Sequence, residues 1–404
     1  MPQTGAVDVE LNLKRWTDLP SMNWYPGNTH IHYSEKENQP DERLRLDPKV
    51  HDFRITVVSI LQRREIPYAS NKYPIGIMTD FCTAHHTVDI GEENRHNARR
   101  ADSPGYGHIM LLRIRNQVDP VSRGDLVNDF DPDYPPLCYA CDDAKRQGGI
   151  VLWCHNGAGM EAPVAAALGK LDAFNMFDPY WNNLEYDIWY LLLNCGIRLP
   201  ASTGSDWFVC SNNRVYVQTG GEFTYDKWIQ NMQAGRTFIT NGPALFINVD
   251  GSIPGATLDG PQGGRQKLPG KISWQSHYPI NLIELIHNGK IAQAKEYPEG
   301  AYSGEWEFDL LVDTDGWLAG RASGNARNSF DHAMYAHTSP IYIGTGKPTE
   351  ISQESAAYFV RTIDDSLQSI KKSGRFTVDS QREEVVHLFE EGKKFYAKLA
   401  RVLE

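Results

Sequence analysis

The sequence predicts an α/β unit with a mainly parallel sheet, followed by a β-sandwich and C-terminal helices. Three observations carry this expectation. Residues 1–241 alternate short apolar runs with helical stretches, residues 242–346 break into short strand-like pieces between turn residues, and residues 347–404 return to apolar spacing near 3.6. The length of 404 residues agrees, since it exceeds the roughly 250–300 at which one hydrophobic core stops growing.

In the first unit the strand candidates are Ile55–Ile60, 109–114 and Ile150–Trp153, each rich in β-branched residues or leucine and bounded by turn residues. A helical segment around 184–193 precedes a further strand at Arg214–Gln218. Ligands of such sheets bind at the carboxyl ends of strands, so polar residues just after apolar runs are the ones to examine. The second unit offers Ala244–Val249 and residues 271–274, 281–286, 305–312, 317–322 and 339–343, with hairpin signals at Asp250-Gly251 and Asn288-Gly289. Further on, Ala356, Phe359, Val360, Ile363, Leu367 and Ile370 share a helical face. A final helix, with the capping-box pattern Ser380-Gln381-Arg382-Glu383, carries Leu388, Phe389, Phe395, Leu399 and Val402.

Composition narrows the class. At 41% hydrophobic and 23% charged residues the chain has a globular balance, which excludes disordered and collagen-like readings. A formal charge of -11 without a Lys/Arg cluster argues against a nucleic-acid partner. No apolar run reaches membrane-spanning length, and Met1-Pro2-Gln3-Thr4-Gly5 does not open a signal peptide. The expectation is a soluble chain, cytoplasmic or mature secreted. Six scattered cysteines are too few for a disulfide scaffold, and Cys138-Tyr139-Ala140-Cys141 lacks a second pair at zinc-ribbon spacing, so reduced structural thiols are expected. The 13 histidines are unevenly placed: seven fall within the first 108 residues and an eighth is His155.

Chemistry is concentrated in five stretches. In Gly27-Asn28-Thr29-His30-Ile31-His32, strand alternation lets His30 and His32 present two imidazoles to one metal. Gly91-Glu92-Glu93-Asn94-Arg95 holds paired acids, His108 precedes an apolar strand, His155 ends one, and Asp206 follows the small-residue turn Gly204-Ser205. Each alone has an ordinary reading: Glu93 on a solvated edge, His108 as a strand cap, His155 as a satisfied histidine, Asp206 as a turn residue. Together they form an N/O ligand set of the kind that holds Zn, Mn or Fe.

These motifs resemble the ordered motifs of the PHP (polymerase and histidinol phosphatase) superfamily. Residues 161–168, 193–205, Arg214–Gln218, 234–243, 317–322 and 337–343 are similar, more narrowly, to its CehA/McbA-type metallohydrolases. The resemblance implies a distorted (β/α)7 barrel over 1–241, a β-sandwich over 242–346 and a helical segment over 347–404. It further implies two divalent metal ions, one held by His30, His32 and Asp206, the other by His108 and His155, with Glu93 bridging. Glu92 is a rival to Glu93, because alternation lets only one of two neighbours face the site. The chain departs from the family pattern where Asp206-Trp207-Phe208 and Thr79-Asp80-Phe81 lack histidines that would complete a third metal site. A two-metal site is therefore expected, with His85, His86 and His96 read as loop-surface residues before substitute ligands.

A metal-bridged hydroxide would then be the nucleophile, in keeping with the lack of Gly-x-Ser-x-Gly, His-Glu-x-x-His and Gly-x-Gly-x-x-Gly motifs. Gly344-Thr345-Gly346-Lys347-Pro348 mimics part of a phosphate loop without its first glycine or its Ser/Thr. Arg95 and His337 are the candidates for oxyanion stabiliser and proton donor, with Asp80 weaker. The leading expectation is a hydrolase that cleaves an ester, amide or carbamate bond in a small molecule. A PHP-type phosphoesterase is the alternative, given Arg95, Arg99 and Arg100. A third reading is a non-catalytic carbohydrate- or surface-binding protein, given Trp274, Trp306 and Trp317. The C-terminal helices offer a surface for a homo-oligomer.

Overall fold

The computed structural model describes residues 9–10, 12, 15–62, 68–97, 105–125, 127–128, 131–176, 186–207, 213–328 and 330–401. The fold is mixed α/β, with seven α-helices among the described residues and a curled, half-barrel sheet.

In the first part of the chain the strands are β1 (Trp24–His32), β2 (Ile55–Ile60), β3 (Gly76–Ile77), β4 (Thr87–Asn97), β5 (Gly107–Leu112), β6 (Arg123–Gly124), β7 (Ile150–Trp153), β8 (Ala173–Asn175), β9 (Ala201–Ser202), β10 (Asp206–Trp207), β11 (Arg214–Gln218) and β12 (Thr237–Thr240). Helices α1 (Pro40–Val50), α2 (Leu137–Arg146), α3 (Ala162–Ala167), α4 (Asp187–Asn194) and α5 (Tyr225–Gln233) lie between them. Pairing runs β1–β2–β4 in parallel, β4–β5–β7 antiparallel, then β7–β8–β9 in parallel. The sheet is thus mixed where a mainly parallel one was expected, because β5 runs against both neighbours. Residues 201–207 bring the sheet round on itself, pairing with β8 through Ser202 and with β1 through Asp206.

β2, β7 and β11 keep the bounds read from sequence, whereas the strand expected at 109–114 starts and ends two residues earlier. Arg113 takes a left-handed φ of 58°, which stops the ladder. At the other end His108 pairs with Arg95, so it lies within the strand and does not cap it. Cys138 and Cys141 are buried free thiols on α2, as expected.

The later strands are β13 (Ala244–Val249), β14 (Thr257–Leu258), β15 (Gln266–His287), β16 (Lys290–Val312), β17 (Gly316–Arg327), β18 (Ala333–Thr338) and β19 (Ile341–Ile343). Pieces expected at 271–274 and 281–286 merge into β15, and 305–312 is the end of β16. The turn between them is Asn288-Gly289, with φ of 51° and 79°, the primed hairpin geometry that Asn-Gly favours. This segment has a core of its own around Leu245, Ile272, Ile283, Leu285, Leu318 and Ile341. Trp274 and Trp317 are buried, so neither displays its ring to a ligand at the surface. β12 pairs with β18, which joins the two regions into one sheet system.

Helices α6 (Glu350–Ser373) and α7 (Asp379–Ala400) close the chain. Ala356, Phe359, Ile363, Leu367 and Ile370 are buried and Val360 is partly buried, as the helical spacing predicts. In α7 the buried stripe is Val385, Phe389, Gly392 and Tyr396, while Phe395 is exposed and Val402 lies outside the described residues. The capping box expected at Ser380 is not formed. α7 is capped two residues earlier, at Val378, and Gln381 Oε1 instead accepts the Thr377 N–H at 2.9 Å. A capping box does open α6, between Thr349 and Ser352. The core of the first region continues into both helices, with Gly392 seated against Val164 of α3. Among the described residues, no helix is long and apolar enough to cross a membrane.

Candidate metal centre

β1 supplies the first two candidate ligands by alternation. His30 and His32 face inward, while Ile31 between them points into a core shared with Val58 and Ile90. Their Nε2 atoms lie 3.0 Å apart. His32 Nδ1 is 3.1 Å from the Ser59 carbonyl of β2; a carbonyl only accepts, so Nδ1 carries the proton and Nε2 keeps its lone pair. Cys154 Sγ lies 3.9 Å from His30 Nδ1.

β4 decides between the two neighbouring acids. Glu92 turns away from the histidines and accepts hydrogen bonds from the Val118 N–H at 3.0 Å and Asn94 Nδ2 at 2.9 Å. Burial pushes its pKa up to about 7. Glu93 faces the histidines, and its two oxygens part company. Oε2 is 2.9 Å from His32 Nε2 and 3.7 Å from His30 Nε2, whereas Oε1 is 2.8 Å from His108 Nδ1 and 3.5 Å from His155 Nε2. Burial opposes the charge on Glu93, yet the hydrogen bonds with these four imidazoles outweigh it and hold the carboxyl well below its usual range.

The remaining candidate ligands come from loops with unusual backbones. His155 follows β7 on a single 3-10 turn, and Asp206 opens β10; both have φ of 54°, a conformation that costs a non-glycine residue free energy and is kept where the surroundings enforce it. At Asp206 the enforcement is visible. The Asn28 side chain accepts the N–H groups of His30 and Ser205 and donates to Ser205 Oγ, which ties the 203–205 turn to β1. Gly204 lies so close to His30 that an added Cβ would sit 2.5 Å from His30 Cβ. Asp206 Oδ1 is thereby held 3.3 Å from His30 Nε2 and 3.5 Å from His32 Nε2.

Two overlapping groups result: His30, His32, Glu93 and Asp206, all buried, and Glu93, His108 and His155. The donor atoms of the first are 2.9–3.7 Å apart wherever a distance joins them. A tetrahedral Zn site with bonds of about 2.0–2.1 Å has ligand edges of about 3.3 Å, so the spacing fits one ion without rearrangement. His30, His32, Glu93 and Asp206 can therefore hold a metal ion. Burial lowers the pKa of His30 and brings that of His108 to about 4, against the opposing pull of Glu93 in each case. Both imidazoles are thus neutral, the form that ligates.

Around the second group, His108 Nε2 is 3.0 Å from Asn97 Oδ1, and His155 Nε2 is 2.9 Å from His108 Nδ1. Arg95 is buried on the Glu93 face of β4, directly across the ladder from His108, and its charge adds to the lowering of the His108 pKa.

His337 does not join the cluster. Its Nε2 is 2.7 Å from Tyr190 Oη and its Nδ1 2.7 Å from the Thr338 carbonyl, within a ring of Tyr186, Trp189 and Tyr190. Burial takes its pKa to about 3, and its two nitrogens are engaged by Tyr190 of the first region and Thr338 of the second. His85 is exposed, as a loop residue should be. His86 and His96 differ from expectation, since both are buried: His86 bonds Thr56, and His96, inside β4, bonds Asp133 and the Tyr106 N–H. Asp80 is exposed on a 3-10 turn. Arg99, Arg100 and Phe208 lie outside the described residues. The Gly344–Lys347 loop wraps an internal anion, the N–H groups of Thr345 and Lys347 donating to Asp315 Oδ2 at 2.8 and 3.0 Å.

Sequence reasoning passed over Asn28, Ser205, Asn97 and the Ser59 carbonyl. Alternation counted on from Glu93 would have placed Asn97 on the same face; the Asn28 clamp spans 177 residues and carries no local signal. The chain matches no protein-family model, no curated protein and no solved structure.

Proposed function

We propose that the chain is a metal-dependent hydrolase of PHP type that cleaves an ester, amide or carbamate bond in a small molecule. The observation that carries this reading is the division of Glu93, whose Oε2 serves one ligand group and whose Oε1 serves the other. A shared carboxylate between two N/O sets is what a two-metal hydrolytic centre requires. The circuit of β1, β2, β4, β5, β7, β8 and residues 201–207 returning to β1 supports a distorted (β/α)7 barrel. The separate core from Leu245 to Ile343 supports a following β-sandwich.

His30, His32 and Asp206 would hold one divalent cation, Zn, Mn or Fe, and His108 and His155 a second, with Glu93 common to both. When bound, such ions supply a water of near-neutral pKa and positive charge to meet a developing oxyanion. The chain supplies the rest. The lowered pKa values of His30 and His108 and the ionised Glu93 leave lone pairs ready for the ions. Arg95 offers a fixed positive charge beside His108 and serves to orient and stabilise an oxyanion; a guanidinium does not deprotonate in proteins, so it is not the proton donor.

The buried Arg95 also favours a second reading, a phosphoesterase, because guanidinium groups suit phosphate oxygens. Metal-loaded protein assayed on an aryl acetate, an aryl carbamate, an anilide and an aryl phosphate separates the two. Chelator-sensitive release from any of the first three supports the proposal, and release from the phosphate alone replaces it with the second reading. No hydrolysis by protein holding metal in both groups refutes both.

A further inference from the structure

We infer that Asn97 is a positioning residue that commits His108 to bind its metal through Nδ1. The inference rests on the two-metal reading above. A neutral imidazole carries one N–H and one lone pair, so the nitrogen that ligates is set by the partner of the other. Nδ1 of His108 points to Glu93 Oε1 at 2.8 Å and to His155 Nε2 at 2.9 Å, inside the second ligand group. Nε2 points the other way, to Asn97 Oδ1 at 3.0 Å. With the amide oxygen as acceptor, Nε2 holds the proton and Nδ1 keeps its lone pair for the ion.

The backbone of Asn97 is fixed at this point. It is the last residue of β4, on the same face as Glu93 and Arg95 by alternation, and it pairs with Gly124 of β6. Its carbonyl accepts the Asp125 N–H at 2.8 Å, and a Cβ on Gly124 would lie 2.4 Å from that same oxygen, so only glycine lets β6 approach. One strand thus supplies both the shared carboxylate and the residue that aims its neighbouring ligand. The first group has its equivalent in the Ser59 carbonyl on His32 Nδ1. That acceptor is backbone, which no substitution removes, whereas Asn97 can be tested.

The test uses the full chain with Asn97→Leu, which keeps the branched shape and removes the acceptor, and Asn97→Asp, which keeps the acceptor with a charge. Zn(II) binding is titrated against a chromophoric chelator, and the melting of each metal-free protein is measured alongside. Loss of an outer partner to a ligating histidine typically weakens metal binding tenfold to a hundredfold. The inference predicts that loss for the second equivalent of Zn(II) in Asn97→Leu, an unchanged first equivalent, and wild-type or tighter binding in Asn97→Asp. A purely structural role predicts equal loss in both variants, and that result overturns it. So does wild-type binding in Asn97→Leu. A wild-type chain that takes up no Zn(II) refutes the hydrolase reading itself, an outcome distinct from two equivalents bound alike in wild type and Asn97→Leu.

Discussion

Glu93→Gln is the perturbation that bears hardest on the shared carboxylate. The first ligand group has two carboxylates, Glu93 and Asp206; the second has only Glu93, beside His108 and His155. Removing the charge leaves the first group with one carboxylate and the second with none. Breaking a buried ionic contact costs about 3–5 kcal/mol, or roughly 10²–10⁴ in affinity, and the second ion bears most of it because, among the described residues, its group holds no other carboxylate. In the metal-free protein the hydrogen bonds that hold the Glu93 carboxyl well below its usual range stabilise its charged form, so Glu93→Gln lowers metal-free stability without abolishing the folding transition. The assay is equilibrium dialysis against Zn(II) or Mn(II) with elemental analysis, paired with melting curves with and without metal. The expected result is close to one ion per chain, a reduced metal-induced rise in melting temperature and a metal-free transition that is lowered yet present. Two ions bound with wild-type affinity would refute the bridging role, and a collapsed metal-free transition would show that Glu93 holds the fold directly.

Other perturbations test the surroundings. Gly204→Ala places a Cβ 2.6 Å from His30 N, a backbone atom that cannot swing aside, so about 1–3 kcal/mol of stability and the first metal should be lost together; wild-type metal content would refute the clamp. His337 and His86 stay neutral to about 3 and about 4, while an unfolded imidazole titrates near 6.5. The unfolded state therefore binds more protons below pH 6.5, and stability falls with pH by about 2 kcal/mol per histidine at pH 5; urea midpoints of chelated protein at pH 7 and pH 5 check this, and a flat profile contradicts it. Thr349→Ala removes the cap of α6 and should cost about 1 kcal/mol without altering metal content.

His30 and His32 were legible as a pair from period-two alternation and His155 from the apolar run before it, whereas alternation left Glu92 and Glu93 open and the set as a whole, with Asp206, came from the family resemblance. Elements with one decisive local feature were equally readable, such as the Asn288-Gly289 hairpin and the Phe359–Ile370 face of α6. What escaped depends on distant partners. Arg113 ends β5 through its own φ, and His96 is buried because Asp133 meets it from outside β4. Ser380 matched a cap pattern, yet the chain enters α7 two residues sooner, behind Val378, with Thr377 bonded to Gln381. His337 looked chemical by type; only the fold shows both its nitrogens spent on Tyr190 and Thr338.

The central claim is two metal ions sharing one carboxylate. Anomalous diffraction from crystals of the Mn(II)- or Zn(II)-loaded protein tests it most directly. The account predicts two peaks, one within bonding distance of His30, His32 and Asp206, the other of His108 and His155, with Glu93 between them. A single peak, or a pair in which Glu93 touches only one ion, would contradict it.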